Sequence, residues 1–249
     1  MAHIPRLYVP NPLASASEFE LEEGQARYLI KVMRLSDGAT VRAFNGKDGE
    51  WNCTLRNQGK RGFLAPATQT RPQENGSSLH LLFAPIKKAR NDFIIEKATE
   101  LGVGVISPLI TDYTQNKRLR VDRMELLAIE AAEQTERLDL PKIYDEMSLT
   151  AALEAWPTDV PLFYCDEAGD TKPMINALEQ YTNLSAGILI GPEGGFSPNE
   201  RELLRSLDFV TPVTLGPRIL RAETAVVSAL TLWQSQVGDW QKQPYLPKK

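Results

Sequence analysis

The sequence predicts an α/β protein in which a small β-rich domain precedes a larger domain built on a mainly parallel sheet. Three observations carry this. Residues 1–72 hold short apolar runs separated by turn residues, and residues 68–78, "TQTRPQENGSS", are polar, carry proline and glycine and lack an apolar period. From Leu79 onward, strand-like runs alternate with helix-like ones, the pattern of βαβ units. The division expected is 1–72 and 73–249.

In the first part, "TVRAFNGKDGEWNCTL" reads as a strand, a turn over Asn45-Gly46 to Asp48-Gly49, and a returning strand. In the second, "LHLLFAP" (79–85) is a candidate for a buried strand, covered on both faces. "ARNDFIIEKATELG" (89–102) sets Phe93, Ile94, Lys97, Ala98 and Leu101 near one helical face and stops at Gly102. "GVISPLI" (104–110) is a second strand. Residues 121–138 follow as a helix, with Asp122 as the expected N-cap. Strands at 160–167, 185–191 and 209–216 come next, with helical stretches around 171–182 and 198–207 between them. A last helix starts near Ala222, and Ala222, Ala225, Val226, Ala229, Leu230, Trp233 and Val237 recur on it at spacings of three and four. That stripe of small residues suits either a packed core or a subunit interface.

Composition narrows the function. The chain has 249 residues, 42% of them hydrophobic, and no run of about 18 uncharged apolar residues that would predict a membrane span. The N-terminus lacks the basic and apolar regions of a secretory signal, and a cytoplasmic location is expected. Cys53 and Cys165 have no ligand spacing around them, and His3 and His80 lack partners at metal spacing, so no metal is expected. The net charge of −4 is unevenly spread: residues 1–72 have 10 Lys+Arg against 7 Asp+Glu, or +3, leaving −7 for the remainder. A basic front end on an acidic body points toward a polyanion held by the first part.

Chemistry concentrates at three strand ends, "LFYCDE", "LIGPEGGFSPNE" and "LGPRILRAETA". In open α/β sheets, ligands bind beyond the carboxyl ends of the strands, so loops after three strands can wall one pocket. In the middle segment Gly191, Gly194 and Gly195 resemble a phosphate loop, and Ser197-Pro198-Asn199-Glu200 opens a helix with a capping box. Glu193 argues against a phosphate. A carboxylate about 4 Å from a phosphate charge costs roughly 4 kcal/mol at an effective dielectric near 20, whereas a cationic ligand would be held. Neither G-x-G-x-x-G nor G-x-x-x-x-G-K-[ST] occurs there. Glu193 either faces a cation or braces its loop through backbone N–H groups.

Five segments in order, "YLIKVMRLSDGATVRAFNG", "KKARNDFIIEKATELGV", "AAEQTERLDLP", "LIGPEGGFSPNE" and "LGPRILRAETA", resemble the ribosomal RNA small subunit methyltransferase E family of the SPOUT class, over nearly the whole chain. Two positions depart from its pattern: Tyr28 stands where the family usually has histidine, and Met33 replaces leucine. The resemblance implies a PUA-like RNA-binding β-barrel, then a SPOUT α/β domain with a trefoil knot. It implies S-adenosylmethionine as cofactor, transfer of methyl to N3 of a uridine in 16S rRNA or the small ribosomal subunit, and a homodimer. Gly191, Glu193, Gly194, Gly195, Leu215, Gly216, Ile219, Leu220 and Ala225 are the expected cofactor contacts. Arg221, Glu223 and Arg218 are the expected catalytic groups. Expected RNA contacts are Arg6, Lys31, Arg34 and Arg42 in the first domain and Lys87, Lys88 and Arg90 in the second, with the basic run 117–123 as a further candidate.

Overall fold

Alternating apolar runs and turn residues in the first seventy positions build a five-stranded sheet. A computed structural model of the chain describes residues 4–15, 17–74, 76–116, 118–167, 170–179, 181–182, 185–243 and 245. It divides into two compact units: the described residues as far as Gly76 together with Ala132–Leu140, and Ser77–Ala131 together with the described residues from Pro141 on.

The first unit holds β1 (Arg6–Tyr8), β2 (Phe19–Glu20), α1 (Glu23–Arg27), β3 (Thr40–Phe44), β4 (Glu50–Gln58) and β5 (Arg61–Arg71), with a π-helical turn at Tyr28–Val32. Sheet order is β1-β3-β4-β5-β2, antiparallel except for β1 beside β3. The turn expected between β3 and β4 is present, and positive φ at Gly46 (78°) and Gly49 (74°) explains why glycines stand there. β5 runs to Arg71, so the polar stretch from residue 68 begins as strand. Leu7, Val9, Leu29, Val41, Leu55 and Leu64 form the core.

No local pattern assigns Ala132–Leu140 to this unit; ion pairs and a small apolar cluster do. Leu138 and Ala132 pack on Phe44. Arg6 donates from Nε to Glu50 Oε2 at 2.7 Å and from Nη1 to the Ala132 carbonyl at 2.6 Å. Arg42 forms a two-pronged pair with Glu136 at 2.8 and 2.6 Å. The helix expected over 121–138 therefore stops early, as α3 (Val121–Gln134), and Glu136 takes a left-handed φ of 61° that carries its carboxylate to Arg42. Asp122 lies inside the first turn of α3, paired with Arg120, instead of capping it.

In the second unit β6 (Leu79–Phe83), α2 (Lys88–Glu100), β7 (Val105–Ile110), β8 (Lys142–Ile143), β9 (Met147–Ser148), α4 (Leu149–Glu154), β10 (Leu162–Cys165), β11 (Lys172–Pro173), α5 (Met174–Leu178), β12 (Ala186–Ile190), α6 (Pro198–Ser206), β13 (Val210–Thr214) and α7 (Ala222–Gln236) follow in order. Sheet order is β11-β13-β10-β12-β6-β7-β8, with β9 also on β7, and every pairing is parallel. Helices cover both faces, so the central strand β12, "AGILI", is apolar throughout and buried at all five positions. The stretch expected as helix at 171–182 begins instead with β11, leaving α5 five residues. Short β8, β9 and α4 carry no period long enough to be read in advance. The small-residue stripe of α7 resolves as core: Ala222, Val226, Ala229, Leu230 and Trp233 are buried with Ile94, Ile95 and Ala98 of α2. No described helix is long and apolar enough to cross a membrane.

Candidate active site

Strand order brings β13, β10 and β12 side by side, so the loops leaving their carboxyl ends meet. They enclose a cavity of about 450 Å³. Of the expected cofactor contacts, Gly191, Glu193, Gly195, Leu215, Gly216, Ile219, Leu220 and Ala225 line it, and so does Arg218. Gly194 faces a neighbouring cavity instead.

The loop after β12 is shaped by glycine and held by the cap of α6. Gly195 has φ of 68° and closes a turn by donating to the Pro192 carbonyl at 2.9 Å. A Cβ on Gly191 would stand 2.6 Å from Phe196 Cε2, so only glycine lets Phe196 lie against the strand end. Phe196 meets Tyr164 of β10 edge to face, 5.1 Å between centroids. The expected capping box is formed: the Glu200 amide donates to Ser197 Oγ at 3.3 Å and the Ser197 amide to Glu200 Oε2 at 2.8 Å. Glu200 Oε1 also accepts from the Asp112 amide at 2.9 Å, and Ser197 Oγ donates to Asp112 Oδ2 at 2.6 Å, which ties the loop after β7 to the same cap.

Bracing thus falls to Ser197, Glu200 and Asp112, while Glu193 pairs with a side chain from another element. Arg90 of α2 donates from Nη1 to Glu193 Oε1 at 2.6 Å, and its Nε lies 3.4 Å from Glu223 Oε1 at the start of α7. One guanidinium holds two carboxylates whose sequence positions are thirty apart. The other oxygen of Glu223, Oε2, is buried without a hydrogen-bond partner. Arg221 is exposed at the N-cap position of α7, and neither it nor Glu223 lines the cavity.

On the β10 side the wall is ionic. The Asp166 carboxylate is wholly buried and accepts from Arg205 Nη2 at 2.7 Å, with Arg201 at 3.6 Å; Arg201 also reaches Glu167 Oε1 at 3.2 Å. Burial, reinforced by the Asp166 charge, pushes the Tyr164 phenol far above its ordinary value and keeps it protonated. Burial likewise raises the Cys165 thiol to about 12, so it is no nucleophile at neutral pH. Tyr164, Asp166, Glu167, Phe196 and Arg201 all line the cavity. Sequence reading singled out "LFYCDE" as a segment but missed these residues individually; the signal available was an acidic pair directly after an apolar strand.

The expected RNA contacts separate into two groups. Lys31, Arg34, Lys87 and Lys88 are exposed. Arg6 and Arg42 are not: their side chains are 2% and 10% exposed, and their guanidinium groups are engaged by Glu50, Glu136 and backbone carbonyls. Phosphate contact by these two is therefore corrected to an internal structural role, because withdrawing either from its carboxylates would leave a buried charge unpaired. Arg90 is committed to Glu193 and Glu223. In the run 117–123, Arg120 pairs with Asp122 and Arg123 with Asp92; Lys117 lies outside the described residues, as does His3. Among the described residues no cluster of His, Cys, Asp and Glu could hold a metal ion.

Comparison with known proteins matches two family models to the chain. A family model described as an RNA methyltransferase domain matches residues 73–234, and one described as an RNA methyltransferase PUA domain matches residues 21–65. The chain is 33% identical over 227 residues to ribosomal RNA small subunit methyltransferase E of Rickettsia conorii, covering 90% of this chain and 93% of that one. Among solved structures it is similar to a candidate methyltransferase from Legionella pneumophila in complex with the cofactor SAM, with TM-score 0.84, 28% identity, and 95% and 99% of the two chains covered. It is also similar to the Neisseria gonorrhoeae ribosomal RNA small subunit methyltransferase E bound to S-adenosyl methionine, with TM-score 0.80, 26% identity, and 96% and 100% covered.

Proposed function

The chain belongs to the ribosomal RNA small subunit methyltransferase E family, and from that premise we propose that it transfers a methyl group from S-adenosylmethionine to N3 of a uridine in 16S rRNA. The observation that carries this is the cavity at the ends of β10, β12 and β13, whose composition suits a cationic nucleoside without phosphate. Its volume lies in the range of small-molecule sites. Glycine backbone and the apolar Leu215, Ile219, Leu220 and Ala225 suit an adenosine, while Glu193 and Glu167 place negative charge at the rim. S-adenosylmethionine, when bound, supplies a methyl group activated by a sulfonium.

The residues of this chain must then prepare the acceptor. N3 of uracil carries a proton, and losing it turns the ring nitrogen into a nucleophile that can take the methyl as the carbon–sulfur bond breaks and sulfur keeps the electron pair. The carboxylates we assign to that proton are the two that Arg90 gathers: Glu193, which lines the cavity, and Glu223, which shares the same guanidinium. A positioned base contributes about 10²–10⁴-fold. Arg218, on the cavity wall, is assigned to the negative charge that develops on the uracil carbonyls, and exposed Arg221 to a backbone phosphate.

Lys31 and Arg34 of the first unit and Lys87 and Lys88 of the second are assigned to RNA phosphates, supported by their exposure. The trefoil knot and a homodimer are retained as proposals. Return of the chain from β12 to β13 across β10, followed by α7 packing on α2, supports the former. Ile219, 83% exposed beside the cavity, supports the latter. The site of action proposed is the cytoplasm, where small subunits are made. Mass mapping of rRNA from cells lacking this protein tests the reading: N3-methyluridine is expected to disappear from 16S rRNA, and its persistence would refute the assignment.

A further inference from the structure

A second cavity, of about 730 Å³, adjoins the first. Pro192 and Glu193 line both, so the two share a rim. Across it stand Lys87 and Lys88 at the start of α2, and Tyr113, Gln115 and Asn116 on the loop after β7.

That loop is rigidly made. Thr111 and Thr114 bond to each other through backbone and hydroxyl groups, at 3.1 Å from the Thr114 amide to the Thr111 carbonyl and 2.9 Å from the Thr111 amide to Thr114 Oγ1. Asp112 is locked to the cap of α6 through Ser197 and Glu200. Asn116 donates to the Ile86 carbonyl at 3.3 Å, and Asn91 bonds the amide and the carbonyl of Ile86 at 2.9 Å each, which fixes the segment leading to Lys87. Tyr113 nevertheless remains 48% exposed, an aromatic ring held on a fixed loop.

Resting on the function proposed above, we propose that this second cavity receives the target uridine after it has been turned out of the RNA. Its ring lies against Tyr113, its carbonyl-bearing edge faces the rim at Pro192 and Glu193, and its phosphates meet Lys87 and Lys88. The chemistry requires such a site. N3 lies on the Watson–Crick edge, which pairing hides, so an enzyme acting there takes an unpaired uridine or extrudes it, and needs a pocket for the exposed base. Aromatic side chains stack any base, and amide side chains such as Gln115 and Asn116 offer donors to O2 and O4. Arg90 is assigned no phosphate contact in this arrangement, since Glu193 holds its Nη1 and Glu223 lies 3.4 Å from its Nε.

Photo-crosslinking locates the base directly. A 16S rRNA transcript carrying sparse 4-thiouridine in place of uridine is irradiated with the full-length protein, and adducts are mapped on both partners; methyl transfer to unmodified transcript is measured in parallel. One RNA position is expected to crosslink to residues 112–116, and it is the position that becomes methylated. Tyr113→Ala should remove that adduct and lower kcat/KM for RNA about tenfold, with S-adenosylmethionine affinity unchanged, while Tyr113→Phe retains both. Crosslinking of the methylated position to any other segment, or a Tyr113→Ala variant with unaltered adduct and kcat/KM, overturns the proposal. A protein that transfers no methyl to rRNA yet forms the 112–116 adduct overturns the methyltransferase reading and keeps the pocket.

Discussion

Arg90 and Glu193, 103 positions apart in sequence, form a 2.6 Å ion pair at the mouth of the cavity, and the same guanidinium reaches Glu223. Without it, the two carboxylates would lose the cation they share. Arg90 and Glu193 are about one-third exposed, so the pair contributes little to stability, on the order of 1 kcal/mol or less. Arg90→Gln is expected to leave the denaturant midpoint nearly unchanged while single-turnover methyl transfer falls about 100-fold, as a misplaced catalytic group allows. Equal losses in stability and turnover would assign Arg90 to folding alone.

Charge at Glu193 should discriminate between cofactor and product. Glu193→Gln is expected to weaken S-adenosylmethionine roughly fivefold, about 1 kcal/mol for a screened carboxylate, and to affect the neutral thioether S-adenosylhomocysteine less. Isothermal titration with both ligands reads the difference; equal weakening would remove the electrostatic role.

Glycine is required at two loop positions for different reasons. Gly191→Ala drives a methyl into Phe196, and Gly195→Ala forces a side chain into φ of 68° next to Glu167. Each should lower stability by about 1–2 kcal/mol and weaken S-adenosylmethionine binding, measured by urea unfolding and calorimetry.

Arginines of the first unit should separate by phenotype. Arg6→Ala takes the 2.7 Å partner from buried Glu50 and leaves it Arg42 at 3.5 Å as its cation, and a loss of roughly 3 kcal/mol is expected. Lys31→Ala and Arg34→Ala should be thermally silent, yet each should reduce the slope of log affinity against log salt for RNA by about 1.

Stability should fall in mild acid through His80. Burial lowers its pKa from 6.5 to about 4, with the ring against Trp156 at 5.1 Å and Nε2 2.8 Å from Ser107 Oγ. The unfolded chain therefore binds a proton that the folded chain refuses. Stability is complete above pH 6.5, declines as pH drops from 6.5 toward 4, and the decline ends below that; its full extent is at most roughly 3 kcal/mol. Unfolding free energies of the wild type and His80→Gln across this range should diverge in slope, the variant being flatter.

Local pattern was enough for the second unit's alternation of strands and helices, the β3–β4 turn, the capping box of α6 and the segments that wall the cavity, because each depends on residues within a few positions of one another. It was also enough to mark Glu193 as misplaced for a phosphate loop. Pairings made across the chain lay beyond its reach. Sequence placed Arg6 and Arg42 with Lys31 and Arg34 because all four are cations in one basic segment; only folding buried the first pair against Glu50 and Glu136. Arg90 read as an RNA contact for the same reason, since nothing local says that α2 starts beside Glu193 and Glu223. Tertiary structure alone decided which charges neutralise each other inside the protein and which remain exposed, because that choice depends on burial and on distances set by sheet order.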